Sequence, residues 1–199
     1  MRQLRTTRRA LSLKVEIRPA TLRDLSYTAA NAREIDRREL YASGPRSPSE
    51  AGWVTWYLTQ NTGGEGYCVW LDGNPEFAFG FTCQSQLTPW LYSAWAWGSE
   101  KTIYCMPELH RWGAVHVLPT IKRLGAERVE ARSLFEHTEA HRWMQSLGFR
   151  KEAVMDKWGR NGERFVLLVW IREEFERGEH QNVRVRASTY ATAAAASGD

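Results

Sequence analysis

The sequence predicts a single α/β domain: a mixed, mostly antiparallel central sheet flanked by helices, with extended N- and C-terminal arms. Three observations carry this. The 199 residues suffice for one core and not for two ordinary domains. The 43% hydrophobic and 25% charged composition is that of a globular chain. Apolar spacing changes from helical to alternating and back along the sequence, and the last nine residues, Ala191 to Asp199, are an Ala/Ser/Gly stretch with no packable face. The expected division is a basic arm over 1–14, a domain over 15–171 and a tail over 172–199.

The elements follow in order. Val15 to Ala20 alternates as a strand, and Thr21 then offers an N-cap for a helix over Leu22 to Asn31, with Asp24 in its first turn. A second helix runs from Ala32 to Ala42 and stops at Ser43-Gly44-Pro45. Ser47 or Ser49 caps a third, through Trp53, Val54, Tyr57 and Leu58, ending before Asn61-Thr62-Gly63-Gly64. Tyr67 to Leu71, Phe77 to Cys83 and Leu91 to Trp97 read as an antiparallel meander, the first pair joined by Asp72-Gly73-Asn74-Pro75.

Pro107 suits the first turn of a helix that runs through Trp112, Val115, Leu118 and Ile121 to Gly125, with Pro119 as a kink. Val129 to Leu134 is a strand. Thr138 caps a helix through Ala140, Trp143, Met144 and Leu147, with Gly148 beyond its end, and Phe149 to Trp158 and Arg164 to Ile171 form a hairpin across Gly159-Arg160-Asn161-Gly162.

Composition also excludes. No apolar run approaches the roughly 20 residues of a membrane span, and Ser12 and Lys14 interrupt the apolar residues behind the basic N-terminus, so no signal-peptide core forms. A soluble protein that is not exported is expected. Cys68, Cys83 and Cys105 lack C-x-x-C spacing and read as reduced core cysteines. The net charge of +4 has its basic residues at the ends, Arg2, Arg5, Arg8 and Arg9 in front and Arg184 and Arg186 behind, which suits solvated arms better than specific nucleic-acid binding. Of ten tryptophans, Trp70, Trp95, Trp143 and Trp170 are expected in the core, whereas Trp53, Trp56, Trp90 and Trp112 could lie at a partner-facing surface.

The element order, the opening I-R-P-A-T-x-x-D-L at Ile17 to Leu25, and the segment His137, Ala140, Met144, Gly148, Phe149 together resemble the GNAT acyltransferase superfamily over Val15 to Ile171. The last segment occupies the family's N-x-x-A-x-x-x-Y-x-x-x-G-F positions, with Ala, Gly and Phe matched. The resemblance implies the GNAT-like fold and, if active, acetyl-CoA-dependent N-acetyl transfer. It departs at the chemistry. The family's Tyr, the acid that reprotonates the coenzyme A thiolate, is Met144, which has no proton to donate, and the family's Asn is His137. The pyrophosphate loop (Q/R)-x-x-G-x-(G/A) finds its nearest register at His110, Gly113 and Val115. An alternative anion site lies at Gly98-Ser99-Glu100-Lys101-Thr102, where Ser99, Lys101 and Thr102 would bind and Glu100 would repel phosphate.

Pro75 to Ile171, with its aromatic strand Trp90 to Trp97, is further similar to GNAT-like internal virion proteins of short-tailed bacteriophages. That resemblance implies a virion or assembly component, in the particle or the host cytoplasm. It would contact other phage structural proteins through the arm, the exposed tryptophans and the tail.

Candidate catalytic residues are Glu130, Glu100 and His137; Arg128 and Arg132 offer Glu130 structural ion pairs instead. His137 and His141 lie one turn apart, but no Asp, Glu or Cys at ligand spacing joins them, so no metal site is expected. Three readings follow: a virion component with vestigial catalysis, an active N-acyltransferase, and a host-directed binding protein. An open cleft between the strands Leu91–Trp97 and Val129–Leu134, lined by free backbone N–H groups, would favour the enzyme; Trp95, Trp97 or Met144 filling it would favour the scaffold.

Overall fold

The computed structural model describes residues 13–178. Most of the predicted arm, 1–14, and of the predicted tail, 172–199, lies outside the described residues, as do Arg2, Arg5, Arg8, Arg9, Arg184 and Arg186.

The described elements are β1 (Val15–Pro19), α1 (Leu22–Ala30), α2 (Glu34–Ala42), α3 (Pro48–Asn61), β2 (Glu65–Leu71), β3 (Asn74–Cys83), β4 (Leu91–Gly98), α4 (Thr102–Arg123), β5 (Arg128–Leu134), α5 (Thr138–Ser146), β6 (Arg150–Met155), β7 (Phe165–Ile171) and α6 (Arg172–Glu176). The seven strands form one sheet in the order β1-β2-β3-β4-β5-β7-β6. Only β4 and β5 pair in parallel. All other neighbours are antiparallel. The expected mixed, mostly antiparallel sheet with flanking helices is present.

Alternation along β3 explains the two layers. Phe77, Phe79 and Phe81 face α4, packing with Cys105, Leu109, Val117 and Ile121. Ala78 faces the other way, against Leu25, Ala29 and Ala51 of α1 and α3. Small residues let those helices approach closely: a Cβ on Gly52 would stand 2.7 Å from the Ser26 backbone nitrogen.

Several helix ends match their sequence signals. Thr21 and Asp24 form a reciprocal capping box on α1. Ser47 caps α3, with Pro48 in the first turn. Two ends differ. α4 starts at Thr102 rather than near Pro107, because the helix continues N-terminally through Ile103, Tyr104 and Cys105. His137, not Thr138, is the N-cap of α5. Past Ile171 the charged residues first form α6, whose Phe175 ring packs on Trp170 with centroids 5.6 Å apart. The tryptophans also divide differently from expectation: Trp170 is fully buried, while Trp70, Trp95, Trp143, Trp56 and Trp112 are partly buried. Trp53, Trp90 and Trp158 are the exposed ones. The three cysteines are free and buried, and burial pushes the Cys105 thiol up to about 11. No helix among the described residues is long and apolar enough to cross a membrane.

Candidate functional site

Parallel pairing of β4 with β5 runs from Leu91↔Arg128 to Ala94↔Ala131 and stops there, although β4 continues to Gly98 and β5 to Leu134. The two strands therefore splay. Between them lies a cavity of about 780 Å³, a volume that suits a small organic ligand. On the α4 and α5 side its wall is apolar, made by Phe77, Phe79, Met106, Trp143 and Met144. On the other side stand Trp95, Trp97 and Leu40. Thus the side chains expected to decide whether the cleft is filled line it and leave it open.

Trp97 is 2% exposed and donates its indole N–H to Thr28 Oγ1 at 2.9 Å. Trp95 stacks on it with centroids 5.1 Å apart. Trp95 has room because Gly66 and Gly80 lie beneath it; a Cβ on Gly80 would meet the Trp95 ring at 2.5 Å.

The polar end of the cleft is built by α2 and the end of β5. The Asp36 carboxylate accepts from the Gly98 backbone N–H and from Arg33 Nε, at 2.9 and 2.8 Å. Glu39 Oε2 accepts from Ser133 Oγ and the Leu134 backbone N–H, each at 2.7 Å, and lies 3.1 Å from His137 Nδ1. With Nδ1 protonated, His137 Nε2 is left to accept from Arg33 Nη2, 3.1 Å away. His137 is 5% exposed, so this imidazole is enclosed by its own partners. Burial pushes the Asp36 carboxyl up, against the opposing pull of Arg33.

The other candidates fall elsewhere. Glu100 is exposed on the cleft wall. Glu130 lies between Arg128 and Arg132, at 2.8 and 2.7 Å, and accepts from Gln84. Burial raises its carboxyl, but the bonds from Gln84 and Arg128 and the two guanidinium charges prevail and hold it below the usual range, which weakens it as a base. His110 and Val115 are exposed and Gly113 buried, all in the interior of α4, where backbone N–H groups bond within the helix.

Ser99, Lys101 and Thr102 do converge, on a residue that sequence reasoning missed. The Glu76 carboxylate, in a residue 4% exposed, accepts from Ser99 Oγ and from Lys101 Nζ, the latter at 3.0 Å. The Glu76 carbonyl accepts from the Ser99 N–H at 2.8 Å and from Thr102 Oγ1 at 3.2 Å. The Lys101 N–H is bound by Ser99 Oγ, the Thr102 N–H by the Ser99 carbonyl and the Tyr104 N–H by the Lys101 carbonyl. These donors at the start of α4 are spent inside the protein, so they do not fit a coenzyme A pyrophosphate, which needs consecutive free N–H groups. Asp36 and Glu39, three apart on α2, were also missed, as was Arg33 before them. The only signal was their spacing beside Leu40, which reads equally as a solvated helix face.

No family model matches the chain, and no curated protein matches it. Solved structures do. A yncA product, a putative acetyltransferase from Salmonella typhimurium with acetyl-CoA, superposes with a TM-score of 0.63 at 15% identity, covering 79% of this chain and 93% of that one. AAC(6')-Ib in complex with ribostamycin and coenzyme A gives 0.59 at 15% identity, over 82% and 96%. The ribosomal-protein-S5-alanine acetyltransferase from Vibrio fischeri gives 0.57 at 16%, over 80% and 94%. At such identities the likeness is one of fold: the chain has the GNAT acetyltransferase fold, with its splayed β4 and β5.

Proposed function

We propose that the chain is a bacteriophage GNAT-fold protein that serves as a virion or assembly component, internal or tail-associated, with vestigial catalysis. The observation that carries the loss of catalysis is the start of α4, where Glu76 and the chain's own carbonyl and hydroxyl oxygens take the donors that a pyrophosphate would need. Met144 at the position of the family's proton donor agrees with it. The phage assignment rests on the similarity of Pro75 to Ile171 to GNAT-like internal virion proteins. Contacts with other phage structural proteins would use the arm, the tail and exposed rings such as Trp53, which is 52% exposed and stacked on Tyr57.

A second reading, an active acetyl-CoA-dependent N-acyltransferase, is favoured by one observation: the splay is open, with about 780 Å³ between its strands. Calorimetric titration of the whole chain with acetyl-CoA tests both. Stoichiometric micromolar binding, weakened by Lys101→Ala, would establish the enzyme reading and overturn the first. Absence of heat from folded protein supports the scaffold, and mass spectrometry of purified particles then looks for the chain among their components.

A further inference from the structure

Each arm of the splay ends on a different carboxylate of the same short helix. At the end of β4, Gly98 turns both backbone groups toward α2: its N–H donates to Asp36 Oδ2 at 2.9 Å and its carbonyl accepts from the Arg33 N–H at 2.8 Å. At the end of β5, the Leu134 N–H and the Ser133 hydroxyl donate to Glu39 Oε2, each at 2.7 Å. The backbone groups of Gly98 and Leu134 are of the kind by which β4 and β5 would have continued to pair; α2 and the Arg33 N–H before it satisfy them while the strands diverge. His137, the N-cap of α5, donates from Nδ1 to the same Glu39 carboxylate, and its Nε2 lies beside Arg33, which holds Asp36.

α2 is held by polar and apolar contacts: beside the two carboxylates, Ile35 and Ala42 pack with Leu134 and Phe165, and Leu40 packs against the cluster that contains Trp97. Its only buried residues are Asp36 and Ala42. The helix spans nine residues, Glu34–Ala42, and its C-terminal side leads to the Ser43-Gly44-Pro45 turn. A short element with two buried residues among nine is drawn from the low-stability end of a fold. Charge-assisted bonds tie it to two strands that do not pair there; because one helix carries both carboxylates, release of one favours release of the other.

We infer that α2 is a latch across the end of the cleft: Asp36 holds β4, Glu39 holds β5, and the helix opens and closes as one unit, giving or denying access to the cavity from that side. The inference is independent of whether acetyl-CoA is the occupant.

Amide hydrogen exchange on the whole chain, resolved by residue, tests it. In Glu39→Ala, loss of the Leu134 bond alone would speed exchange at Leu134 only. The latch requires in addition about a ten- to hundredfold acceleration at Gly98, whose own acceptor, Asp36, is untouched. Asp36→Asn should reciprocally accelerate Leu134. Glu39→Gln, which keeps size and one acceptor, serves if the alanine variant fails to fold, and should show a smaller effect of the same pattern. Unchanged exchange at Gly98 in the Glu39 variants would overturn the latch. Equal acceleration at core amides such as Val129 and Leu168 would overturn it too, since it would assign Glu39 to global stability.

Discussion

The Lys101 ammonium and the Glu76 carboxylate meet at 3.0 Å directly below the first turn of α4, with Ser99 Oγ on the same carboxylate. Glu76 thus stands as an internal anion where a helix N-terminus favours negative charge. Because Lys101 is itself largely exposed, the ion pair adds little, and the energetic weight falls on the buried Ser99 hydroxyl. Glu76→Ala should cost about 1–3 kcal/mol, because the buried Ser99 hydroxyl proton loses its acceptor while Ser99 Oγ still accepts from the Lys101 N–H. The vacated donors should then take an external anion. Thermal melting in sulfate and in chloride at equal ionic strength checks this: exclusion of sulfate from the surface raises both midpoints, and an anion bound in the variant should raise its midpoint by more than the parent's.

Gly80 holds the cleft at its present width. A methyl group there would come within 2.2 Å of the Glu65 carbonyl and 2.5 Å of the Trp95 ring. The backbone contact cannot yield cheaply, so Gly80→Ala should lose about 1–3 kcal/mol, the range for overpacking. The ring should also be driven toward the cavity. Denaturant unfolding gives the first quantity, and loss of binding of an apolar fluorescent dye gives the second.

His141 is 1% exposed, and burial holds its imidazole below the usual histidine range. A folded value below the unfolded one means that the unfolded chain takes up the proton first. Stability is therefore full above about pH 6.5, the unfolded value, and falls as pH drops toward the folded value. His141→Gln should flatten that limb between roughly pH 5 and 7. Parallel denaturation curves across that range check it, with proton NMR of His141 locating its titration.

On the outer sheet face, the Arg128 guanidinium beside Glu152 holds that carboxyl below the usual range. The pair contributes stability above about pH 4.3 that is lost as pH falls through the depressed folded value. Arg128→Gln should therefore lose about 1 kcal/mol near neutrality. Its deficit against the parent should shrink on acidification, once Glu152 is protonated in both. Acid unfolding of the two proteins, compared at equal salt, measures the difference.

Much of the fold was legible because its signals are local. Thr21 with Asp24, Ser47 with Pro48, and the left-handed Gly148 after α5 are decided by residues within four positions of each other. The start of α4 was misread because Pro107 suits a first turn, whereas the actual first turn, Thr102 to Cys105, carries no strong cap. Glu76 was passed over as a charged residue at the head of an apolar strand. Nothing nearby in sequence marks it as the partner of Ser99 and Lys101, more than twenty residues on.

The sequence by itself determined the order of helices and strands, the fold they belong to and the absence of a proton donor at Met144, since these follow from spacing, caps and side-chain chemistry. Only the tertiary structure decided which polar groups are already taken. The pairing of β4 with β5 ends at Ala94, Asp36 and Glu39 receive the two freed strand ends, and Glu76 receives the donors before α4. Each is a contact between residues far apart in the chain, and it is closed because a buried N–H or hydroxyl left without a partner costs more than the ordering needed to supply one.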